Sequence, residues 1–349
     1  MKVKPLLALV FIAAVILSGA CISPEQEKRP LRVIYAGSLI IPFEEIAKAF
    51  EEVHPDVDVL LEGHGSIQVI RHITDLHEEY DVLAVADDSL IPDMMYPNYA
   101  DWYVRFAQNQ VVIAYTNMSI YADEINESNW YEILGRPGVS FGFSNPMFDA
   151  CGYRTLMVIQ LAEDYYGNET IFEQLIARNF KSPFPVLEEN GTYTVVAPEV
   201  FEPQGDKLVI RGGSVQLLAL LELGGIDYAF EYKSVAEQHG LRYVELPAEI
   251  DLRSPEHRTR YETVRVMLGF QRFSSIGIER SGGPIFYAIT IPSNAPNRDL
   301  ALEFVHFVLS EEGARVLQST YQPTIAPEAD AIEHLPEELS AVVTKEIAE

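Results

Sequence analysis

The chain has 349 residues, of which 48% are hydrophobic and 22% charged, and its 52 acidic against 25 basic side chains give a formal net charge of −27. That balance excludes a nucleic-acid partner, whose phosphates such a surface repels and whose binding needs a basic face. The composition is otherwise globular, and the length exceeds what one core usually serves, so two domains are expected.

In chain order, Lys2 and Lys4 precede the apolar run PLLALVFIAAVILSGA, which ends at small residues and Cys21. This is the layout of a secretory signal. The run is shorter than the roughly 20 residues that span a bilayer. The mature chain is therefore expected outside the cytoplasm. LSGAC resembles a lipoprotein cleavage box with its leucine one place too far upstream, so lipidation of Cys21, ordinary cleavage and an uncleaved anchor all stay open. Residues 1–30 read as leader and linker. Once the signal is removed Cys151 is the sole cysteine, which precludes an internal disulfide. Sequons starting at Asn117, Asn126, Asn168 and Asn190 matter only in a host that glycosylates exported proteins.

LRVIYAGS predicts a short strand ending in Gly37-Ser38, and PFEEIAKAFEEVHP a helix with Phe43, Ile46, Ala47 and Phe50 on one face. VDVLLEGHGSIQVIRHITDL repeats the plan with a turn at Gly63-His64-Gly65-Ser66. YDVLAVADDSLI supplies a third strand, and QVVIAYT leads into a second set of units. There GVSFGFSNP predicts a strand whose loop holds Asp149 to Gly152, and YRTLMVIQLAEDYYG a helix closed by Gly167. KLVIRGGSVQLLALLELGGIDYAFEYKS reads as strand, turn, helix and strand. GPIFYAITIP is a further strand, NRDLALEFVHFVLSEEGARVLQ one amphipathic helix, and the acidic tail from Pro327 a helical or frayed end. Strands alternating with helices argue for parallel sheets with function at the strands' C-terminal ends. Crossings near 110–116 and 284–291 would join two open α/β lobes into a hinged clamp.

Three turns share one chemistry: Gly37-Ser38, Gly65-Ser66 and Asp149-Ala-Cys-Gly. Glycine permits close approach to a ligand, and the amides that open the following helix point outward. With the hydroxyls of Ser38 and Ser66 this makes an uncharged oxyanion receptor. Charge-assisted hydrogen bonds are worth about 1.5–3 kcal/mol each, so several could offset anion desolvation without a lysine. Any one such turn is by itself merely a helix cap. Cys151 as a nucleophile would need a base within reach, and no histidine pattern names one. His64, His72 and His77 have spacings that do not stack imidazoles on one helical face, and they read as solvated helix residues rather than a metal site. Tyr232 lies at a strand end, where a phenol could face a cleft. A carboxylate at Asp149 would repel a bound oxyanion unless the ligand's central atom accepts another oxygen; otherwise Asp149 is an N-cap.

With these residues assembled, the chain resembles the archaeal tungstate/molybdate-binding proteins of ABC importers. The stretches that carry the resemblance include AGSL, FEEVHPDV, DVLAVAD, FAQNQVVIAY, YADEINESNWYEILGRPGVSFGFSNP, CGYR and GIDYAFEYKSVAEQHGL. The resemblance implies a class II periplasmic-type solute-binding fold, α/β, in two Rossmann-like lobes, here 31–112 with 287–345 and 113–286. It implies a non-enzymatic monomer without cofactor that closes on the oxyanion and presents it to an ABC permease in the membrane. Gly37, Ser38 and Ser66 would donate from the first lobe. Asp149 would act through its carboxylate, toward the metal of the oxyanion, and Ala150 and Cys151 through their backbone, with Tyr232 closing the site. Ala150 departs from the family's usual proline. Ser214 stands where the family has a second coordinating glutamate, eighteen residues before the tyrosine, so four- and six-coordinate geometries both stay open. Ser214 would instead donate a hydrogen bond. Glu231 is the weaker substitute for the missing carboxylate, because strand alternation turns it away from the Tyr232 face.

Overall fold

The computed structural model describes residues 28–268, 279–343 and 345–347; Cys21 and the signal lie outside them. No helix among the described residues is long and apolar enough to cross a membrane. The strands in chain order are β1 (Arg29–Ala36), β2 (Val57–His64), β3 (Val82–Val85), β4 (Val104–Asn109), β5 (Val111–Tyr115), β6 (Phe141–Ser144), β7 (Val186–Glu189) and β8 (Thr192–Val196). They continue with β9 (Leu208–Arg211), β10 (Tyr228–Tyr232), β11 (Arg242–Glu245), β12 (Val264–Met267), β13 (Glu279–Ser281), β14 (Ile285–Thr290), β15 (Thr324–Ala329) and β16 (Lys345–Glu346).

The first lobe is built on a sheet of order β16-β15-β4-β14-β3-β1-β2 and the second on β11-β5-β10-β6-β9. As expected from the alternating pattern, β1 runs parallel to β2 and β3, and β6 parallel to β9 and β10. The sheets are nonetheless mixed, because β14 pairs antiparallel with β3 and β4, and β5 antiparallel with β10 and β11. Those strands enter by crossing between lobes, so no βαβ crossover forces them parallel. One crossing is at Asn109-Gln110, between β4 and β5. The other runs from β13 to β14.

The Ile40–Val53 helix lays Phe43 and Phe50 against the Arg298–Leu309 helix, with Phe50 meeting Phe304 edge-on at 5.2 Å. Each such fully buried side chain contributes about 1.5–3 kcal/mol. In the second lobe Trp130 and Phe141 meet Phe230 edge-on. The Ala150–Tyr166 helix is buried on every side from Ala150 to Ala162. It is covered all round because a third sheet, β13-β12-β8-β7, packs on its other flank. Gly167, at φ 63°, ends it.

Two expected elements come out differently. The amphipathic stretch 298–319 forms two helices, Arg298–Leu309 and Glu311–Ser319, because Ser310 is extended and its side chain accepts from the Gly313 amide at 3.2 Å, starting a new helix. The tail is helical only in short 3-10 turns at Ile332–His334 and Glu337–Leu339; on either side of them β15 and β16 add to the edge of the first sheet, β15 alongside β4.

Candidate functional site

The C-terminal ends of β1 and β2 face those of β6, β9 and β10 across the cleft. Between them lies a cavity of about 50 Å³, lined from the first lobe by Gly37, Ser38, Gly63, His64, Gly65 and Gln68. Asp149, Gly213, Ser214, Val215, Gln216 and Tyr232 line it from the second. A water needs roughly 10–15 Å³ by this measure, so the space suits one small compact ligand. Among the described residues that line it there is no lysine or arginine.

Two hydroxyls in the wall are held so that their own protons can serve a ligand. Ser38 Oγ accepts from the Tyr287 hydroxyl at 2.9 Å, and Tyr287 in turn accepts from Asn109 Nδ2 at 3.1 Å. Tyr232 Oη accepts from Arg154 Nη1 at 2.8 Å. Burial pushes the Tyr232 phenol well above its ordinary pKa, with Arg154 opposing; the hydroxyl keeps its proton and remains a donor. The site therefore receives positive charge from Arg154 one bond removed.

Asp149 is the N-cap residue of the Ala150–Tyr166 helix, yet its side chain makes no capping bond. Its Oδ2 instead accepts from the Ser214 amide at 2.9 Å. Glu231 is wholly buried and, as alternation requires, is not in the cavity wall. It reaches the wall from behind: its Oε1 accepts from the Ser214 hydroxyl at 2.8 Å and from the Tyr232 amide at 2.8 Å. Both Ser214 donors are thus directed at carboxylates in this conformation, where a donor to the ligand was expected. Glu231 Oε2 is buried with no hydrogen-bond partner. Burial raises Glu231 to about 8, against the pull of its two hydrogen bonds, and raises Asp149 in the same direction.

The lobes touch directly around the cavity. Ile67 and Gln68 donate their amides to Phe148 O at 3.1 and 3.3 Å. Arg154, from the second lobe, donates to Ala86 O and pairs with Asp87 at 3.3 Å, while Tyr153 donates its hydroxyl to Asp87. Burial works to raise Asp87, but Arg154 and Arg280 outweigh it and hold the carboxyl below its ordinary pKa.

Of the residues singled out from sequence, Gly37, Ser38, Asp149, Ser214 and Tyr232 meet at the cavity. Ser66, Ala150 and Cys151 do not line it. Ser66 Oγ accepts from the Ala86 amide at 3.1 Å inside its own lobe, which leaves its proton free but keeps the residue behind the cavity wall. Cys151 is fully buried with its Sγ toward Phe230 O at 3.8 Å, and burial pushes its thiol well above the ordinary range, a poor setting for a nucleophile. His64 belongs to β2, and its ring stacks on His72 at 4.8 Å, so these two are not separately solvated helix residues. Sequence reasoning missed Arg154, although a lone arginine within the apolar run CGYRTLMVIQLA is a signal. It also missed Tyr287, which reaches Ser38 from a strand 249 residues away.

The sequence profile of the bacterial extracellular solute-binding protein family matches residues 31–320. An uncharacterised solute-binding protein of Methanococcus maripaludis is 45% identical over 319 residues, covering 91% of this chain and 90% of its own. The molybdate/tungstate-binding protein WtpA of Pyrococcus abyssi is 42% identical over 344 residues, covering 97% and 96%. Among solved structures, the sulfate-binding protein SubI of Mycobacterium tuberculosis superposes with a TM-score of 0.53 at 11% identity, covering 90% of this chain and 93% of that one. The periplasmic molybdate-binding protein of Azotobacter vinelandii gives 0.51 at 13%, covering 84% and 98%; at such identities the likeness shows the fold. The chain belongs to the bacterial extracellular solute-binding protein family.

Proposed function

We propose that this protein captures a tetrahedral oxyanion of a group-6 metal, tungstate or molybdate, outside the cytoplasm and hands it to an ABC permease in the membrane. The observation that carries this reading is the makeup of the cavity wall: glycines, hydroxyls and amide side chains from both lobes, no lysine or arginine among the described residues that line it, and one buried carboxylate at Asp149. Hydroxyls and amides recognise an oxyanion. A carboxylate in the same wall is tolerated best when the anion's central atom can accept a further oxygen, which tungsten and molybdenum do and sulfur does not. The WtpA relative, named for molybdate and tungstate, supports the same ligand class.

In this reading Ser38 and Tyr232 donate through their hydroxyls, the turns at Gly37, Gly65 and Gly213 admit the ligand close to backbone, and Asp149 approaches the metal. Ser66, Ala150 and Cys151 shape the turns without touching the ligand. The receptor acts as a monomer without cofactor, and Cys151 is packing rather than catalysis. The mature chain is tethered through Cys21 or released after cleavage.

Calorimetric titration of the mature protein with tungstate, molybdate, sulfate and phosphate tests the reading. Saturable one-to-one binding of tungstate or molybdate, well ahead of sulfate, is expected. No heat with either metal oxyanion, beside tight binding of sulfate or phosphate, overturns it in favour of a receptor for another anion.

A further inference from the structure

We propose that Glu62, His64 and His72, with Glu78 beside them, form a second binding site, for a divalent transition-metal ion of the zinc type. One ligand atom from each of the first three lies within 4.8 Å of the others. His64 Nε2 is 2.9 Å from Glu62 Oε1, and His72 Nδ1 is 4.0 Å from that same oxygen and 2.8 Å from Glu78 Oε2. Two imidazoles with carboxylate are the ligand set of zinc and its neighbours, whereas magnesium and calcium take oxygen alone.

The geometry needs little change to close on an ion. In a tetrahedral site with bonds of roughly 2.1 Å the ligand atoms stand about 3.4 Å apart. The carboxylate–imidazole separations already bracket that value, and the widest separation must contract by roughly 1 to 1.5 Å. The two rings stack nearly parallel, 17° apart, so both edges can turn toward one point. The side chains are only partly covered, with His64 at 35% and His72 at 21% exposure, which leaves a path for the ion and room for water as a remaining ligand.

The carboxylates are also held from behind. Tyr80 is buried, and its hydroxyl lies 2.7 Å from Glu62 Oε2 and 3.0 Å from Glu78 Oε2, its single proton shared between the two carboxylates. This is the supporting shell that orients metal ligands. It leaves Glu62 Oε1 toward the imidazoles. The Arg32 guanidinium stacks on the Tyr80 ring at 4.4 Å and fixes it in turn.

The place in the fold gives the ion a task. His64 ends β2 and directly precedes Gly65 and Ser66, while His72 lies further along the helix that Ser66 starts. An ion joining the two rings fastens the intervening turn, which supplies Gly65 to the cavity wall.

The test uses untagged mature protein, stripped with chelator and titrated with Zn²⁺ by calorimetry; it needs no oxyanion and is independent of the cargo. One equivalent should bind with a Kd of about micromolar or tighter, and Co²⁺ should develop the visible absorption of a nitrogen-ligated tetrahedral ion. His72→Ala and Glu62→Gln should each weaken Zn²⁺ at least tenfold, and Tyr80→Phe by about 10–100-fold, while His77→Ala leaves it unchanged. Absence of saturable Zn²⁺ binding by the wild-type protein overturns the site without recourse to any variant. So does Zn²⁺ affinity unaltered in a folded His72→Ala protein. A Co²⁺ spectrum of octahedral, oxygen-only coordination likewise rules it out and leaves a cluster of imidazole–carboxylate ion pairs.

Discussion

The Ser214 hydroxyl donates to Glu231 Oε1 at 2.8 Å, so the serine at the position where the resemblance implies a coordinating glutamate holds another glutamate from behind the wall. The same serine gives its amide to Asp149. Two buried carboxyls are therefore organised through one small residue, and burial raises both.

The Glu231 environment sets a pH dependence. An ordinary glutamate ionises near 4.5 and this one near 8. Between those values the folded protein holds a proton that the unfolded chain has released, so stability falls as pH rises through the window and levels off above it. Glu231→Gln removes this contribution. Thermal unfolding of the ligand-free protein from pH 5 to 8.5 should show the wild type losing stability on the order of a few kcal/mol more than the variant. Parallel curves would place the proton elsewhere.

Asp149 distinguishes coordination from hydrogen bonding. If its oxygen approaches the metal of the ligand, Asp149→Asn, which is poor as a metal ligand but able to donate, should weaken tungstate at least about a hundredfold, near 2.7 kcal/mol. Sulfate, whose sulfur takes no further oxygen, should be held as well as before or better. Competition titrations with the two anions read this directly. An asparagine variant that keeps its tungstate affinity would return Asp149 to service as a donor in its protonated form.

Gly65 marks how closely the lobes meet. A Cβ there would lie 2.4 Å from Phe148 O on the opposite lobe, whereas its backbone, at φ −64° and ψ 146°, accepts alanine without strain. Gly65→Ala should therefore leave the stability of the separate lobes unchanged and oppose closure, by about 1–3 kcal/mol. Every anion should bind roughly 5- to 150-fold more weakly by the same factor, and small-angle scattering with ligand should show a less compact particle. Unaltered binding would mean that the lobes do not close to this contact when loaded.

Much of the scaffold was legible because it rests on local signals. The strand ends at Gly37-Ser38, Gly65-Ser66 and Asp149 follow from apolar runs broken by glycine and a capping residue, and their convergence follows from parallel pairing. What was not legible depends on long-range partners. The helix break at Ser310 is a choice between two capping solutions inside one periodic pattern. Whether the Ser66 hydroxyl faces the cleft or Ala86 is decided by the packing of β3, and nothing in GHGS announces it. The roles of Arg154 and Tyr287 arise only when strands and helices from distant parts of the chain are assembled. Glu231 was visible as a carboxylate on the wrong face of its strand, but Ser214 reaching back to it was not.

Arg154 has a wider consequence through its bonds to Ala86 and Asp87 across the cleft. The apparent affinity of a hinged receptor is its intrinsic affinity scaled by the fraction of molecules in the competent form. Asp87 and Tyr153 bear on that fraction without lining the cavity, whereas Arg154 also reaches the wall through its bond to Tyr232. Changes at Tyr153 or Asp87 raise or lower affinity for all cargoes in proportion, while changes at Asp149, Ser38 or Arg154, which meets Tyr232, alter the ranking among them. A lineage facing scarcer supply can thus adjust how strongly it scavenges without relaxing what it accepts, because the two traits reside in different side chains.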